Sequence, residues 1–437
     1  MATKFDKELI GRLAKETGFV QRKSKLKPMG FLKALMFIYQ KGKELSLSDL
    51  CGDLYHSCEL DIRKQSIQAR FNEKAVSFLK AVLSNLLKEE IPAIKPSLLL
   101  KGFGRIRVKD STRFALPPSY ASVYKGHGGA THNSESMISI QYEYDLLSAE
   151  TLDLRLTPGT KNDQGDAKER THDIRKGDLF LRDLGYVTLN YLKQIVKGEA
   201  YFLNRLGPKT TVYQTDAPEK QLDLKACYHH MKKYQLPYTE YDVLIGKEKK
   251  IRSRLVVYLA GEGTYEKRLR KTSKQAKGYG HNVSDDFKAK ARLNLYLTNT
   301  DQKDIPASEV QKVYGLRWQI ELVFKIWKSQ TVLHRVKEMK IHRFECQLLA
   351  RLIWLILHWK LFMHVAHWLN ATTTNKTASP WKYYKYAHII NEHMREAINK
   401  PGKLKELLKK LRDWASPNFV LEKKYKQTHY EILMMLN

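Results

Sequence analysis

The sequence predicts a mixed α/β protein: a layer of strands and helices in the middle of the chain, interrupted by a β-rich segment and flanked by helical regions. Three observations lead to this class. Apolar residues recur at helical spacing through residues 1–100 and again beyond 331. Short β-prone runs bounded by turn residues begin near residue 104. From there the order is three strands, helix, strand, helix, strand, which suits one sheet with mixed strand directions. The expected organisation is a helical domain over 1–100, an α/β domain over 101–330 with the β-rich insertion at about 207–297, and a helical region over 331–437.

In the first region, "LSLSDLCGDLY" places Leu47, Leu50 and Leu54 on one helical face, with Ser46 or Ser48 as the cap. After a polar break, "DIRKQSIQARFNEKAVSFLKAVL" reads as a second helix with Ile62, Ile67, Phe71, Ala75 and Leu79 inward. Its first turns carry Arg63, Lys64, Gln65, Gln68 and Arg70. Two short helices of this kind suit either a helix-turn-helix that reads the major groove or a plain helical hairpin. In the first case those five residues are the ones that reach base edges and phosphates.

The runs "GRIRVKDST", "SMISIQYEYD" and "ETLDLRLTP" read as strands, the last two as a hairpin around "LLSA". A polar helical stretch (165–176) leads to "GDLFLRDLGY" as strand plus turn, "TLNYLKQIVKG" as helix and "EAYFLNRLG" as strand. Within the insertion, "YTEYDVLIG" and "IRSRLVVYLA" suggest an antiparallel pair, "TYEKRLRKTSKQAKG" a basic helix or loop, and "NLYLTN" a further strand. The next helix is expected to begin after Pro306 with Ser308 as its cap. "NATTTNKTASP" reads as a linker between helices at 341–369 and a basic helical segment at 381–437.

The formal net charge is +31 in 437 residues, with 43% hydrophobic residues. That hydrophobic content builds a core and excludes a disordered tail. A charge of this size repels itself, and a polyanion partner relieves it, nucleic acid first among candidates. A membrane surface is the rival partner. The most apolar stretch, 348–369, is interrupted by Arg351, His358 and Lys360, so it reads as a buried helix and not as a membrane span. The N-terminus alternates charges without an apolar signal core. Cys51, Cys58, Cys227 and Cys346 form no CxxC pair, so structural zinc and a disulfide framework are not expected and the compartment is read as the cytoplasm.

Two acids follow β-prone runs: Asp110 in "RVKDST" and Asp183 in "LFLRDLGY". Strand ends of α/β sheets are where sites are usually built, although either residue alone is equally a cap or turn residue. A third acid, Glu321, sits in "YGLRWQIELVFKIWK" (314–328). On a single α-helix Arg317, Glu321 and Lys328 fall within roughly 60° of Tyr314, with Trp318 and Lys325 close by and the apolar residues opposite. Such a flank is either a salt-bridged surface or part of a phosphate-handling site. Together the three carboxylates form the hard-oxygen set that Mg2+ or Mn2+ prefers. Two such ions support in-line phosphoryl displacement. "GHGGATH" (126–132) reads as a loop, His229 and His230 as surface residues, and the basic run at 267–277 as a solvated face or a backbone contact.

The spacing Tyr-x2-Arg-x3-Glu-x6-Lys is met by Tyr314, Arg317, Glu321 and Lys328, and "KDSTRFALP", "LFLRDLGY", "YFLNRL" and "LYLTN" follow in order. In these features the chain resembles the bacterial insertion-sequence transposases of the DDE class. The resemblance implies an RNase H-like core and a metal-binding catalytic triad of Asp110, Asp183 and Glu321. It also implies two Mg2+ ions, replaceable by Mn2+, and contacts from Tyr314, Arg317 and Lys328 to DNA phosphates. Trp318 takes the place of a tryptophan that, in some relatives, stacks on an unpaired base. A second stacking tryptophan that relatives often carry is missing here, where the chain reads Leu293-Asn294-Leu295-Tyr296. The implied activity is cut-and-paste transposition. Its partners are the element's terminal inverted repeats, a target duplex and a second protomer, with helices after 331 contributing to the dimer. A non-catalytic DNA-binding regulator and a nuclease of the same fold remain open as other readings.

Overall fold

The computed structural model describes residues 7–22, 24–37, 46–87, 100–128, 135–169, 171–206, 211–246, 251–278, 282–373, 376, 378–398 and 400–420. Part of the "GHGGATH" loop, part of the linker at 370–380 and the last 17 residues of the basic C-terminal segment lie outside them.

Five helices come first: α1 (Lys7–Glu16), α2 (Pro28–Phe37), α3 (Leu47–Cys58), α4 (Lys64–Ala69) and α5 (Glu73–Leu87). Ser46 caps α3. Its hydroxyl accepts from Asp49 N at 3.0 Å, and the Asp49 carboxylate accepts from Ser46 N at 2.9 Å. Ser46→Ala is therefore expected to destabilise the protein by about 1 kcal/mol, read as a lower midpoint in urea unfolding; an unchanged midpoint would contradict this role. The single helix expected over 61–83 is two. The break falls at Arg70–Asn72, where Asn72 Oδ1 accepts from Ala75 N at 3.1 Å and so starts α5 as its cap. Of the expected inward residues, Ile67, Phe71, Ala75 and Leu79 are buried, while Ile62, ahead of α4, is half-buried against the same core.

The sheet begins with β1 (Arg105–Ala115), β2 (Met137–Asp145) and β3 (Thr151–Pro158). Helix α6 (Asp163–Glu169), strand β4 (Asp178–Arg182), helix α7 (Leu189–Lys197) and strand β5 (Tyr201–Leu206) follow. Strands β1, β4 and β5 are mutually parallel, β2 runs antiparallel to β1, and β3 runs antiparallel to β2 at the sheet edge. The resulting order, β3-β2-β1-β4-β5, fits the RNase H-like core that the resemblance implies.

The segment at 207–297 contributes β6 (Val212–Gln214), α8 (Leu224–Lys233), β7 (Tyr238–Ile245), β8 (Ile251–Leu259), α9 (Glu262–Gly278), α10 (Asp285–Ala291) and most of β9 (Leu293–Thr298). Among the described residues it carries three helices as well as strands, and its strands build no separate sheet. β9 pairs with both β5 and β8, so one nine-stranded sheet runs through core and insertion. This pairing satisfies the backbone edge that β5 would otherwise leave open.

Helix α11 (Val310–Gly315) starts one residue after Glu309, whose side chain makes no cap bond, so Ser308 is not the cap. A 3-10 turn, Leu316–Trp318, separates it from α12 (Gln319–Gln330). The tighter 3-10 winding rotates α12 relative to α11, and the one-helix angles do not carry across it.

Beyond it stand α13 (Ile341–Thr372), α14 (Pro380–Ala397) and α15 (Pro401–Asn418). By length and composition α13 contains a stretch, Ile341–Leu369, apolar enough to cross a membrane, yet 78% of its most apolar window is buried inside the protein. The polar interruptions have partners there. His358 is fully buried, its ring nitrogens 3.0 Å from Tyr383 Oη and 3.2 Å from Asn391 Oδ1, and burial pushes its pKa down to about 3. Lys360 Nζ donates to Leu86 O at the end of α5 (2.7 Å). On the sheet side, Trp359 Nε1 donates to Ala149 O (3.2 Å) and Tyr124 Oη to Glu345 (2.7 Å). The same apolar core joins α1–α5, one face of the sheet and α13–α15.

Candidate active site

The register of β1 against β4 is pinned where the two strands begin. Gly104 N donates to Gly177 O at 2.9 Å, and Gly177 sits at φ +80°, a conformation glycine adopts without a side-chain clash. Arg105 then grips Asp178 with two donors, at 2.7 and 2.6 Å, and these two residues are the first register pair. The pairing ends at Val108 opposite Leu181. Continued two residues further, the same register carries Asp110 toward Asp183, which directly follows β4, and the Asp183 charge acts on the Asp110 carboxyl. Alternation puts both side chains on one face. Asp183 is still extended (φ −79°, ψ 165°) before the 3-10 turn Leu184–Tyr186.

Asp183 thus follows its strand as expected, whereas Asp110 lies inside β1 and not at its end. The reason is that β1 continues to Ala115 along β2, as the register pair Ala115↔Met137 shows. What ends at Val108 is only its pairing with β4.

Glu321, in the first turn of α12, joins this pair through Arg317. Arg317 Nη1 lies 3.3 Å from Asp110 Oδ2, and Nη2 lies 2.8 Å from Glu321 Oε1. Burial pushes the Asp110 carboxyl up to about 6; Ser111 N–H and Arg317 oppose the shift, and the Glu321 and Asp183 charges add to it. A cleft of about 540 Å³ opens beside them, lined by Asp110, Thr112, Glu321, Lys325, Lys328 and His334 among others. His334 follows a turn at Val332 (φ 50°) just past α12. Nothing local in the sequence marks it, because only the packing of α12 on β1 brings it to the cleft.

The residues of the 314–328 stretch divide. Trp318 is 57% exposed, and Lys328 is half-buried with Nζ 3.4 Å from Arg113 O. Tyr314, expected on the exposed flank, is instead buried against Tyr296, ring centroids 5.3 Å apart. Among the described residues its hydroxyl makes no hydrogen bond of full geometry, and the charge that acts on it most strongly is the Arg317 guanidinium. The 3-10 turn accounts for this, since it swings Tyr314 to the core side. Of the five residues expected to read DNA, Arg63, Lys64 and Gln65 are exposed at the start of α4, while Gln68 and Arg70 are half-buried. Arg70 Nη2 donates to Ser24 Oγ at 2.8 Å, so it ties α4 to the segment before α2.

Among the described residues, no three His, Cys, Asp or Glu side chains stand close enough together to hold a metal ion. Arg317 occupies the space between two of the carboxylates. The donor chemistry nonetheless fits a hard divalent cation. A half-buried carboxyl raised first by burial and further by two neighbouring carboxylates marks a site short of positive charge, and the guanidinium supplies that charge here.

Comparison with known proteins gives the family. The Transposase DDE domain family matches residues 101–357. The transposase of insertion sequence element IS231B from Bacillus thuringiensis subsp. berliner is 34% identical over 360 residues, which cover 79% of this chain and 75% of that protein. That of IS231F from Bacillus thuringiensis subsp. israelensis is 30% identical over 451 residues, covering 98% and 92%. That of IS1151 from Clostridium perfringens is 30% identical over 371 residues, covering 81% and 77%.

Proposed function

Because this chain belongs to the DDE transposases of bacterial insertion sequences, we propose that it moves its element by cut and paste. It hydrolyses the phosphodiester at each end of the element and joins the freed 3′ hydroxyl to target DNA. Each joining step exchanges one phosphodiester for another, so no nucleoside triphosphate is needed. Asp110, Asp183 and Glu321 would hold two Mg2+ ions, or Mn2+ in their place. The chemistry such ions supply when bound is Lewis acidity for in-line phosphoryl displacement.

The protein's own residues do the rest. Arg317 moves off the carboxylates onto a DNA phosphate, and Lys328 holds a second phosphate at the cleft. Tyr314 acts from behind, its ring centroid 5.9 Å from the Arg317 guanidinium. Exposed Trp318 offers a face for an unpaired base. Arg63, Lys64 and Gln65, with Gln68 and Arg70 behind them, read the terminal inverted repeat. The helices after 331 help hold two protomers on two ends, in the bacterial cytoplasm at the nucleoid. The basic helix α9 adds backbone contact.

The observation that carries this reading is the β1–β4 register, which beyond its last pair leads Asp110 and Asp183 toward each other, with Glu321 linked to Asp110 through one arginine. The test incubates the protein and Asp183→Ala with duplexes carrying the element's ends, in Mg2+ or in chelator. Cleavage and joining are expected only for the unaltered protein in Mg2+. Nicking that survives both chelator and substitution would sink the reading, and cleavage without joining would make the protein a nuclease.

A further inference from the structure

Behind the cleft, on the opposite face of the sheet, lies a layer of buried charge that phosphate chemistry does not use. Each of the two aspartates follows a buried cation in sequence: Lys109 precedes Asp110, and Arg182 precedes Asp183. Neighbouring residues on a strand point to opposite faces, so each cation is joined by a single peptide unit to the acid on the other side.

Glu143 of β2 pairs directly with Arg182 and stands at the edge of ion-pair distance from Lys109, whose nearer carboxylates are Asp166 (2.5 Å) and Asp153 (3.0 Å). Arg182 Nη2 lies 2.6 Å from Glu143 Oε1, and Lys109 Nζ lies 3.8 Å from Oε2. Glu143 is the register partner of Lys109, and it also accepts from Arg107 Nε at 2.7 Å. Arg182 Nη1 crosses from β4 to β1 and donates to Arg107 O at 2.9 Å. Side-chain exposure is 1% for Glu143 and 2% for each of Lys109 and Arg182.

Stability does not explain such a layer. Buried ion pairs contribute little or nothing relative to apolar residues of the same volume, and their best-attested use is to specify one arrangement. Here the arrangement is the height of β4 against β1 where the strand pairing has just ended.

We propose that Glu143 is a positioning residue for DNA cleavage: by gripping Arg182 of β4 from its place on β2 opposite Lys109 of β1, on the far face of the sheet, it fixes the separation of Asp110 and Asp183. This rests on the reading of those aspartates as the catalytic pair. Glu143 touches no substrate and acts only through the two strands.

The informative variant is the charge-balanced double substitution Glu143→Gln/Arg182→Met. Glu143 is the carboxylate that pairs with Arg182, while Arg107 keeps Asp173 and Asp178, and Lys109 keeps Asp153 and Asp166. The probe is a duplex carrying the terminal inverted repeat cut from the DNA flanking the gene. Rates are taken at a temperature where circular dichroism shows both proteins fully folded. Affinity for the duplex is expected to stay within about threefold, while the cleavage rate at saturating duplex falls about 10- to 100-fold, the scale of an ångström-sized misplacement. Arg182→Lys, which keeps the charge and its partner, should recover most of that rate.

If the double variant does not fold, Glu143→Asp replaces it, since it keeps the charge and withdraws the carboxylate by one methylene; a loss of about tenfold or more in rate with unchanged affinity is expected. A wild-type rate in whichever variant folds, or a loss confined to affinity, overturns the proposal. Asp183→Ala in parallel separates the two levels. If it still cleaves, the reading of the aspartates fails; if it is inactive while the positioning variant is unimpaired, only the role of Glu143 fails.

Discussion

Asp110→Asn is expected to abolish DNA cleavage and, in chelator at pH 8, to make the protein more stable. The carboxyl titrates at about 6 in the folded protein against 3.8 for the free group, first because of burial. Between those values the folded state binds more proton than the unfolded state, so stability falls as pH rises from about 4 to 6 and stays reduced above that. At 1.36 kcal/mol per unit the shift amounts to roughly 1–3 kcal/mol, with some reduction for solvent at the cleft mouth. Asparagine has no charge to desolvate and removes this cost. Cleavage, by contrast, should fall on the order of 10³-fold or more, since charge stabilisation worth several kcal/mol is lost. Urea unfolding of both proteins from pH 4 to 8 tests the first half: the gap between them should be widest at pH 8 and close toward pH 4. A variant less stable than the parent at pH 8 would show that Arg317 more than compensates the buried charge.

Arg317→Gln should separate ion binding from catalysis. In the free protein the guanidinium stands between Asp110 and Glu321, where a divalent cation would have to enter. Removing it takes away a competing positive charge, so Mn2+ measured by electron paramagnetic resonance should bind about tenfold more tightly. Cleavage should fall on the order of 10²-fold, because a charge-assisted phosphate contact and a preorganised donor are both lost. Unchanged Mn2+ affinity would mean the arginine is no obstacle to the ion. An unchanged cleavage rate would mean it is no phosphate ligand. The glutamine keeps length and polarity, which limits the effect on folding.

The parts of the fold legible in the sequence are those set by local pattern. The β-prone runs at 104–112 and 136–145 indicate the strands, and the spacing of Ile67, Phe71, Ala75 and Leu79 indicates the inward helical face. The two aspartates stand out because each follows a β-prone run, and Glu321 because it sits among the cations of 314–328. What remained hidden depends on partners distant in sequence. Asp110 looked like a strand end, since nothing near it reveals that β2 carries β1 on to Ala115. Tyr314 looked exposed because one 3-10 turn, invisible to a uniform 100° rotation, turns it inward. The run "RIRVK" alternates charge with apolar side chains and would ordinarily place its cations in water. They are buried because Glu143, Asp153, Asp166, Asp173 and Asp178 arrive from elsewhere in the chain to meet them.

Helix α13 ties the α1–α5 bundle to the sheet as one body, through Lys360 to the end of α5 on one side and Trp359 and Glu345 to the sheet on the other. On the proposed reading, in which the bundle contacts the terminal repeat, that rod would act as a gauge between the base pairs read and the bond cut. One added base pair would carry the bond ~3.4 Å along the duplex and about a tenth of a helical turn around it. The expected consequence is an element that tolerates changes in the letters of its ends better than changes in their length.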